Sequence, residues 1–69
     1  MAVDITKKFG QKVRKVRIAK GMSQGKLAKK LGVDSSYISK IERGLQNISL
    51  KGLEKLAKVI GVSVGELMK

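Results

Sequence analysis

Residues 24–43 constrain the fold more than any other part of the chain. Their sequence is QGKLAKKLGVDSSYISKIER, in which two short amphipathic helical patterns are joined by residues 31–34. Gly32 lies where the first of these helices must end, and Ala28 is small where the two helices must cross. The apolar positions are Leu27, Leu31, Ile38 and Ile41, with Val33 in the turn. Two helices joined by a tight, glycine-containing turn are typical of a helix-turn-helix motif.

Five helices are predicted along the whole chain, which we interpret as one small all-α domain over residues 1–69. Their spans are about residues 4–20, 24–31, 35–43, 50–60 and a short helix that opens after residue 63. The predicted N-caps are Asp4, Ser23, Asp34, Ser49 and Ser63, the last as a capping box with Glu66. The glycines predicted to end helices are Gly21, Gly32, Gly44 and Gly61. Gly10, by contrast, lies inside the first helix, where glycine is unfavourable.

The apolar faces of these helices are short, so they can be buried only by packing several helices into one bundle. The predicted core consists of Phe9, Val13, Val16, Leu27, Ala28, Leu31, Val33, Ile38, Ile41, Ile48, Leu50, Leu53, Ala57, Ile60 and Leu67.

The charge of the chain is strongly unbalanced. Lys and Arg number 16 against 5 Asp and Glu, which gives a net charge of +11. A small domain this basic is expected to bind polyanions, nucleic acid first among them, although lysines can also serve only solubility. Membrane-lying helices usually carry Trp or Phe, and this chain has no Trp and one Phe.

Other function classes find little support in the composition. The chain has no His and no Cys, so the commonest general base and the thiolate metal ligands are absent. Its serines have no visible activating partner, and no glycine-rich phosphate loop occurs. We therefore expect no enzyme activity, cofactor, metal or small-molecule substrate. No apolar run reaches a membrane-spanning length and no signal-peptide core is visible, which predicts a cytoplasmic protein, expected to be nucleoid-associated as a DNA binder.

The third predicted helix carries short polar side chains at its N-terminal end, where a recognition helix meets the bases. The predicted base-contacting residues are Ser35, Ser36, Tyr37, Ser39 and Lys40. Lys40 can reach the O6 and N7 atoms of guanine, whereas serine hydroxyls discriminate bases weakly. The alternative is that the serines only favour the start of the helix.

A second set of polar residues flanks this helix and is suited to the DNA backbone. The predicted phosphate-contacting residues are Gln24, Arg43, Gln46, Asn47 and Lys51. For Asn47, a purely local role in the turn is the alternative. Arg17, at the rim of the apolar face of the first helix, is expected to form a structural ion pair with Glu42.

The motifs of residues 9–69 together resemble the Cro/C1-type helix-turn-helix regulators, also called the xenobiotic-response-element family. The motifs are FGQKVR at 9–14, KGMSQ at 20–24, LGV at 31–33, YIS at 37–39, IERG at 41–44 and IGVSVGEL at 60–67. The resemblance implies a compact five-helix bundle of the lambda-repressor-like DNA-binding type, whose helices 2 and 3 form the helix-turn-helix. It further implies contact of Gln24 with phosphate, and of Ser35, Ser36, Ser39 and Lys40 with bases.

Residues 47–49 read Asn-Ile-Ser where many members of that family have Asn-Pro-Ser. The variant is similar to restriction–modification controller proteins. Those proteins often carry Arg or another long side chain at the position that Ser35 occupies here. The short serine is a departure from that pattern.

The favoured hypothesis is a sequence-specific regulator of transcription that binds double-stranded DNA as a homodimer on a palindromic operator. The predicted dimer residues are Val62, Val64, Leu67 and Met68, because a short terminal helix exposes apolar side chains. One alternative is an antitoxin or transcription adaptor that acts mainly through a protein partner. Another is a nonspecific DNA binder.

Overall fold

The computed structural model describes residues 5–68, within which the chain forms five α-helices and no strand. The helices are α1 (Ile5–Ala19), α2 (Gln24–Leu31), α3 (Ser35–Glu42), α4 (Leu50–Ile60) and α5 (Val64–Met68). The predicted all-α class is confirmed, and the helix bounds differ from those predicted by at most one residue. The expected N-cap Asp4 lies outside the described residues.

Serine side chains begin three of the helices. The hydroxyls of Ser23, Ser49 and Ser63 each accept a hydrogen bond from the backbone N–H three residues later, at 3.0–3.1 Å. Asp34 has the extended backbone of an N-cap, but its side chain makes no capping hydrogen bond, so the prediction is wrong for the carboxylate. The N–H of Tyr37 instead donates to the main-chain carbonyl of Asp34 at 3.0 Å, and Asp34 is exposed to solvent.

Gly32 makes the turn between α2 and α3. Its φ of 80° and ψ of 31° are left-handed, and its N–H donates to the carbonyl of Ala28 at 2.8 Å. A residue with a Cβ is strained in this conformation, so glycine allows the chain to leave α2 and enter α3 within three residues. Positive φ is also found at the other glycines that were predicted to end helices, Gly21, Gly44 and Gly61.

The core is formed by all five helices. Its buried apolar residues are Val13, Leu27, Ala28, Leu31, Ile38, Ile41, Leu53, Leu56, Ala57, Ile60 and Leu67. Four further predicted members are half-buried at its edge, namely Phe9, Val16, Val33 and Ile48. The prediction for Leu50 is wrong, because this side chain is 76% exposed. Leu50 shares a helical face with Leu53, but it is the first residue of α4 and borders a surface groove instead of the core.

The packing of the helices determines how α3 is held. The inner side of α3 contacts both α1 and α2, while α4 packs on α2 and α5 packs on α1 and α4. Ile38, Ile41 and Glu42 are the buried residues of α3. With two helices behind it, α3 is fixed in place and its other side faces solvent.

Candidate nucleic-acid interface

The outward side of α3 carries most of the residues predicted to contact bases. Ser35, Ser36 and Lys40 are exposed, and Ser39 is half-buried. Positions separated by one, four and five residues lie on one side of a helix, so these four side chains share one surface. We call this surface the α3 outer face.

Tyr37 lies at the flank of this surface. It is half-buried and its ring packs against the hydrophobic core. Part of the Tyr37 side chain therefore packs α3 onto the core. Only the remaining, exposed part of this side chain is available to contact a ligand.

The residues predicted to contact phosphate lie on three segments next to α3. Gln24 is the first residue of α2, Arg43 is the C-cap of α3, and Lys51 lies in the first turn of α4. Arg43 and Lys51 are exposed. No acidic residue occurs in the first turn of α2 or α4, so nothing within these turns opposes an anion at the positive end of the helix.

Gln46 and Asn47 lie in the loop between α3 and α4, where one hydrogen bond is local and another reaches α1. The Gln46 side-chain amide donates to the carbonyl of Asn47 at 3.2 Å. The hydroxyl of Thr6 donates to Oδ1 of Asn47 at 3.4 Å, which joins the loop to α1. Among residues 5–68 the side-chain nitrogen of Asn47 has no hydrogen-bond partner, so the bond to Thr6 leaves a donor for a ligand.

Arg17 and Glu42, which were paired from the sequence, are joined by two hydrogen bonds. Nε of Arg17 lies 2.6 Å from Oε2 of Glu42, and a terminal guanidinium nitrogen lies 3.1 Å from Oε1. Arg17 is 8% exposed and Glu42 is 6% exposed. The remaining terminal nitrogen of Arg17 donates to the carbonyl of Met22 at 2.7 Å. The pair therefore ties α1, the loop before α2 and the end of α3 together.

The side chain of Gln24 joins the same network. Its Nε2 donates to Oε1 of Glu42 at 3.0 Å, although the sequence assigned it only to phosphate. No pattern in the sequence indicates this contact, because residues 24 and 42 meet only through the packing of α2 against α3. Among the described residues, no buried side-chain nitrogen or oxygen lacks a hydrogen-bond partner.

Residues 5–68 contain neither a metal-binding cluster nor a membrane-spanning helix. No group of three or more acidic residues, His or Cys lies close enough together to hold a metal ion. No helix in this range combines the length and apolar character needed to cross a membrane.

A sequence profile described as helix-turn-helix matches residues 13–67. The chain belongs to the Cro/C1-type helix-turn-helix family. Within this family, the control protein C.BamHI of Bacillus amyloliquefaciens is 49% identical over 61 residues, which are 87% of this chain and 75% of that protein. The transcriptional regulator SinR of Bacillus subtilis is 48% identical over 61 residues, which are 87% of this chain but 55% of SinR. The chain thus spans little more than half of SinR.

Solved structures of family members have the same fold. The restriction–modification controller protein C.AhdI from Aeromonas hydrophila has a TM-score of 0.85 and 45% identity, covering 90% of this chain and 94% of that chain. A crystal structure of SinR in complex with DNA has a TM-score of 0.81 and 47% identity, covering 88% and 98%. These members are described as a controller protein and a regulator.

The residues that the sequence predicts for a dimer interface do not form one exposed surface. Leu67 is 1% exposed and belongs to the core of the monomer, because α5 packs its inner side onto α1 and α4. Val62 and Val64 are half-buried against the core, and only Met68 is substantially exposed, at 56%. The prediction therefore needs correction at Leu67, since a short terminal helix can bury its apolar side chain within its own domain.

Exposed apolar side chains instead gather around a groove of about 220 Å³. We call it the α1–α4 groove, and its lining residues are Ile5, Thr6, Phe9, Gln46, Asn47, Ile48, Leu50, Leu53 and Met68. Ile5 and Leu50 on its rim are 70% and 76% exposed. Of the predicted dimer residues, only Met68 belongs to it.

Proposed function

We propose that this protein is a sequence-specific regulator of transcription that binds double-stranded DNA in the cytoplasm. The observation that carries the proposal is the α3 outer face, a polar surface with Lys40 on a helix held from behind by α1 and α2. The net charge of +11 supports a polyanionic partner. The 47% identity to SinR, whose crystal structure is in complex with DNA, supports duplex DNA in particular.

In this proposal, α3 enters the major groove with the α3 outer face toward the bases. Lys40 donates to O6 and N7 of a guanine, and Ser35, Ser36 and Ser39 bond nearby base edges. Tyr37 contacts the DNA from the flank of α3. Together these contacts supply the preference for one sequence.

The second set of residues holds the DNA backbone. Phosphates on both sides of the groove that α3 occupies are contacted by five residues, Gln24, Arg43, Gln46, Asn47 and Lys51. Such contacts fix the position of the protein on the duplex but do not distinguish sequences. The cationic members also make the affinity depend on salt.

The proposed working form is a two-fold homodimer joined through the α1–α4 groove. Three of the five exposed large apolar side chains among residues 5–68 border it, namely Ile5, Leu50 and Met68. Contiguous exposed apolar surface of this kind marks an interface, and a two-fold dimer needs a surface that can pair with itself. Two α3 helices would then read half-sites about 10 bp apart, centre to centre.

Within the family, the resemblance to C.BamHI and C.AhdI favours a controller of restriction–modification genes. The sequence match covers 75% of C.BamHI, and the structural match covers 94% of the C.AhdI chain. That role would be supported if restriction and methyltransferase genes lie next to the gene for this protein and their transcription changes with its level. Their absence would leave a regulator of other genes.

The decisive experiment is selection of bound duplexes from a random DNA pool at about 150 mM salt, where nonspecific attraction to phosphate is screened. We expect enrichment of a palindromic motif, which would establish sequence reading by a dimer. Binding at low salt without enrichment would contradict the proposal. It would favour a nonspecific binder or a module that acts through a protein partner.

A further inference from the structure

The network around Glu42 includes one residue that is expected to touch DNA. Gln24 is half-buried at the start of α2, and its Nε2 lies 3.0 Å from Oε1 of Glu42. The carboxylate also accepts two hydrogen bonds from Arg17. Glu42 is thus the point where a buried ion pair meets a residue at the protein surface.

Glu42 is held in place independently of Gln24. Arg17 donates to both carboxylate oxygens and, through its third nitrogen, to the carbonyl of Met22. Both charged side chains are less than a tenth exposed, which restricts their movement. The position of the Glu42 carboxylate is therefore determined by α1 and α3 before any ligand arrives.

The orientation of the Gln24 amide follows from the chemistry of its partner. An ionised carboxylate only accepts hydrogen bonds, so the nitrogen of the amide, and not its oxygen, must face Glu42. The nitrogen carries two hydrogens, and the bond to Glu42 uses one of them. The second N–H has no partner among residues 5–68.

The start of α2 offers further donors beside this side chain. Within the described part of the chain, the backbone N–H groups of Gln24 and Gly25 make no hydrogen bond, whereas that of Lys26 donates to the Ser23 hydroxyl. A Cβ at Gly25 would meet no atom within 4 Å, so the space next to these donors is open. A phosphate at this place would receive hydrogen bonds from the helix end and from the Gln24 side chain.

We propose that the Arg17–Glu42 ion pair positions Gln24 for its contact with the DNA backbone. Glu42 holds one amide hydrogen and thereby keeps the second available to a phosphate oxygen. Without Glu42 the amide would be free to rotate, and its carbonyl oxygen, which repels a phosphate, could take the place of the N–H. Restricting the side chain in advance also lowers the entropy cost of binding. The inference rests on the proposed DNA-binding function.

The test is a double-mutant cycle for affinity to a duplex recovered by the selection, with Gln24→Ala, Glu42→Met and the double variant. Methionine has nearly the length of glutamate but no oxygen that could accept the hydrogen bond from Gln24. Each single change is expected to weaken binding about tenfold, as for the loss of a hydrogen bond to a charged group. The double variant should bind no more weakly than either single variant, because Glu42 acts through Gln24. Losses that multiply in the double variant, or a Gln24→Ala variant that binds like the parent, would overturn the inference. Thermal melts of each variant show that the compared proteins are folded.

A second measurement does not require Glu42 to be changed. In the unaltered protein, NMR can follow hydrogen exchange of the two Nε2 hydrogens of Gln24. We expect slow exchange at one of them in the free protein, and protection of the other only when DNA is bound. Fast exchange of both hydrogens in both states would contradict the inference. Failure of the unaltered protein to bind any duplex would instead defeat the proposed function.

Discussion

Gly10 of α1 lies directly against the main-chain carbonyl of Ile41 in α3. A Cβ built at position 10 would come within 2.8 Å of the carbonyl oxygen of Glu42 and closer still to that of Ile41. Both oxygens belong to backbone near the end of α3, which cannot move aside as a flexible side chain would. Glycine inside α1 therefore allows the close approach of the two helices that places the α3 outer face.

Gly10→Ala should destabilise the protein, although alanine favours a helix over glycine by about 0.5–1 kcal/mol. Forcing the two backbones apart is expected to cost about 1–3 kcal/mol or more, as for other overpacked contacts. Gly25→Ala is the matched control, because a Cβ there would meet nothing within 4 Å. Thermal unfolding monitored by circular dichroism should show a lower Tm for Gly10→Ala alone. Equal Tm values for the two variants would show that α1 and α3 are not closely packed at this point.

Glu42→Ala should lower the stability more than any surface substitution. It leaves the guanidinium of Arg17 buried without a counter-charge, and removal of one partner of a buried pair costs about 3–5 kcal/mol. For a domain of this size each kcal/mol lowers the Tm by about 4–8 °C. The control is Glu54→Ala, the same change at an exposed position of α4 that forms no ion pair with any residue from 5 to 68. A Tm for Glu42→Ala equal to that of Glu54→Ala would rule out a structural role for the pair.

The features that the sequence predicts well depend on a few neighbouring residues. Ser23 and Ser49 begin helices because the hydroxyl reaches a backbone N–H three residues away. Gly32 ends α2 because its backbone adopts a conformation that other residues avoid. The apolar spacing in α2 and α3 likewise identifies Leu27 and Ile38 as core residues from one helix at a time.

The features that the sequence does not predict depend on which helices lie opposite one another. Leu50 and Leu67 both lie on apolar faces, yet Leu50 is exposed at the start of α4 while Leu67 is covered by α1 and α4. The role of Gly10 and the bond between Gln24 and Glu42 require the packing of α3 against α1 and α2. The apolar periodicity along the chain does not show which helices pack against one another.

Leu50→Ser should convert the proposed dimer to a monomer, because it removes an apolar side chain from the rim of the α1–α4 groove. The side chain is 76% exposed, so the fold of the monomer should lose little. Leu45→Ser is the matched control, since Leu45 is 66% exposed but does not line the groove. Sedimentation equilibrium at micromolar concentrations should show dimer for the parent and the control and monomer for Leu50→Ser. A parent that is monomeric at high micromolar concentration would exclude a dimer through this groove.

Lys40 and Lys51 should affect DNA binding in different ways, although both are exposed lysines. Lys40→Ala removes a donor to a base, so it should cost about 1–3 kcal/mol on the preferred duplex and relax the preference at one base pair. Lys51→Ala removes a contact with phosphate. It should weaken binding to all duplexes alike and reduce the slope of log affinity against log salt by about 0.9.

Lys58→Ala separates these effects from the loss of charge alone. Lys58 is an exposed lysine of α4 like Lys51, but it lies in the last turn and is assigned no contact. Affinities of the three variants for the preferred duplex and for a single-base variant, measured by fluorescence anisotropy at several salt concentrations, provide the comparison. Equal losses in all three variants on both duplexes would mean that the lysines act only through long-range attraction. In that case α3 would not read bases through Lys40, and the nonspecific binder would be the better description of the protein.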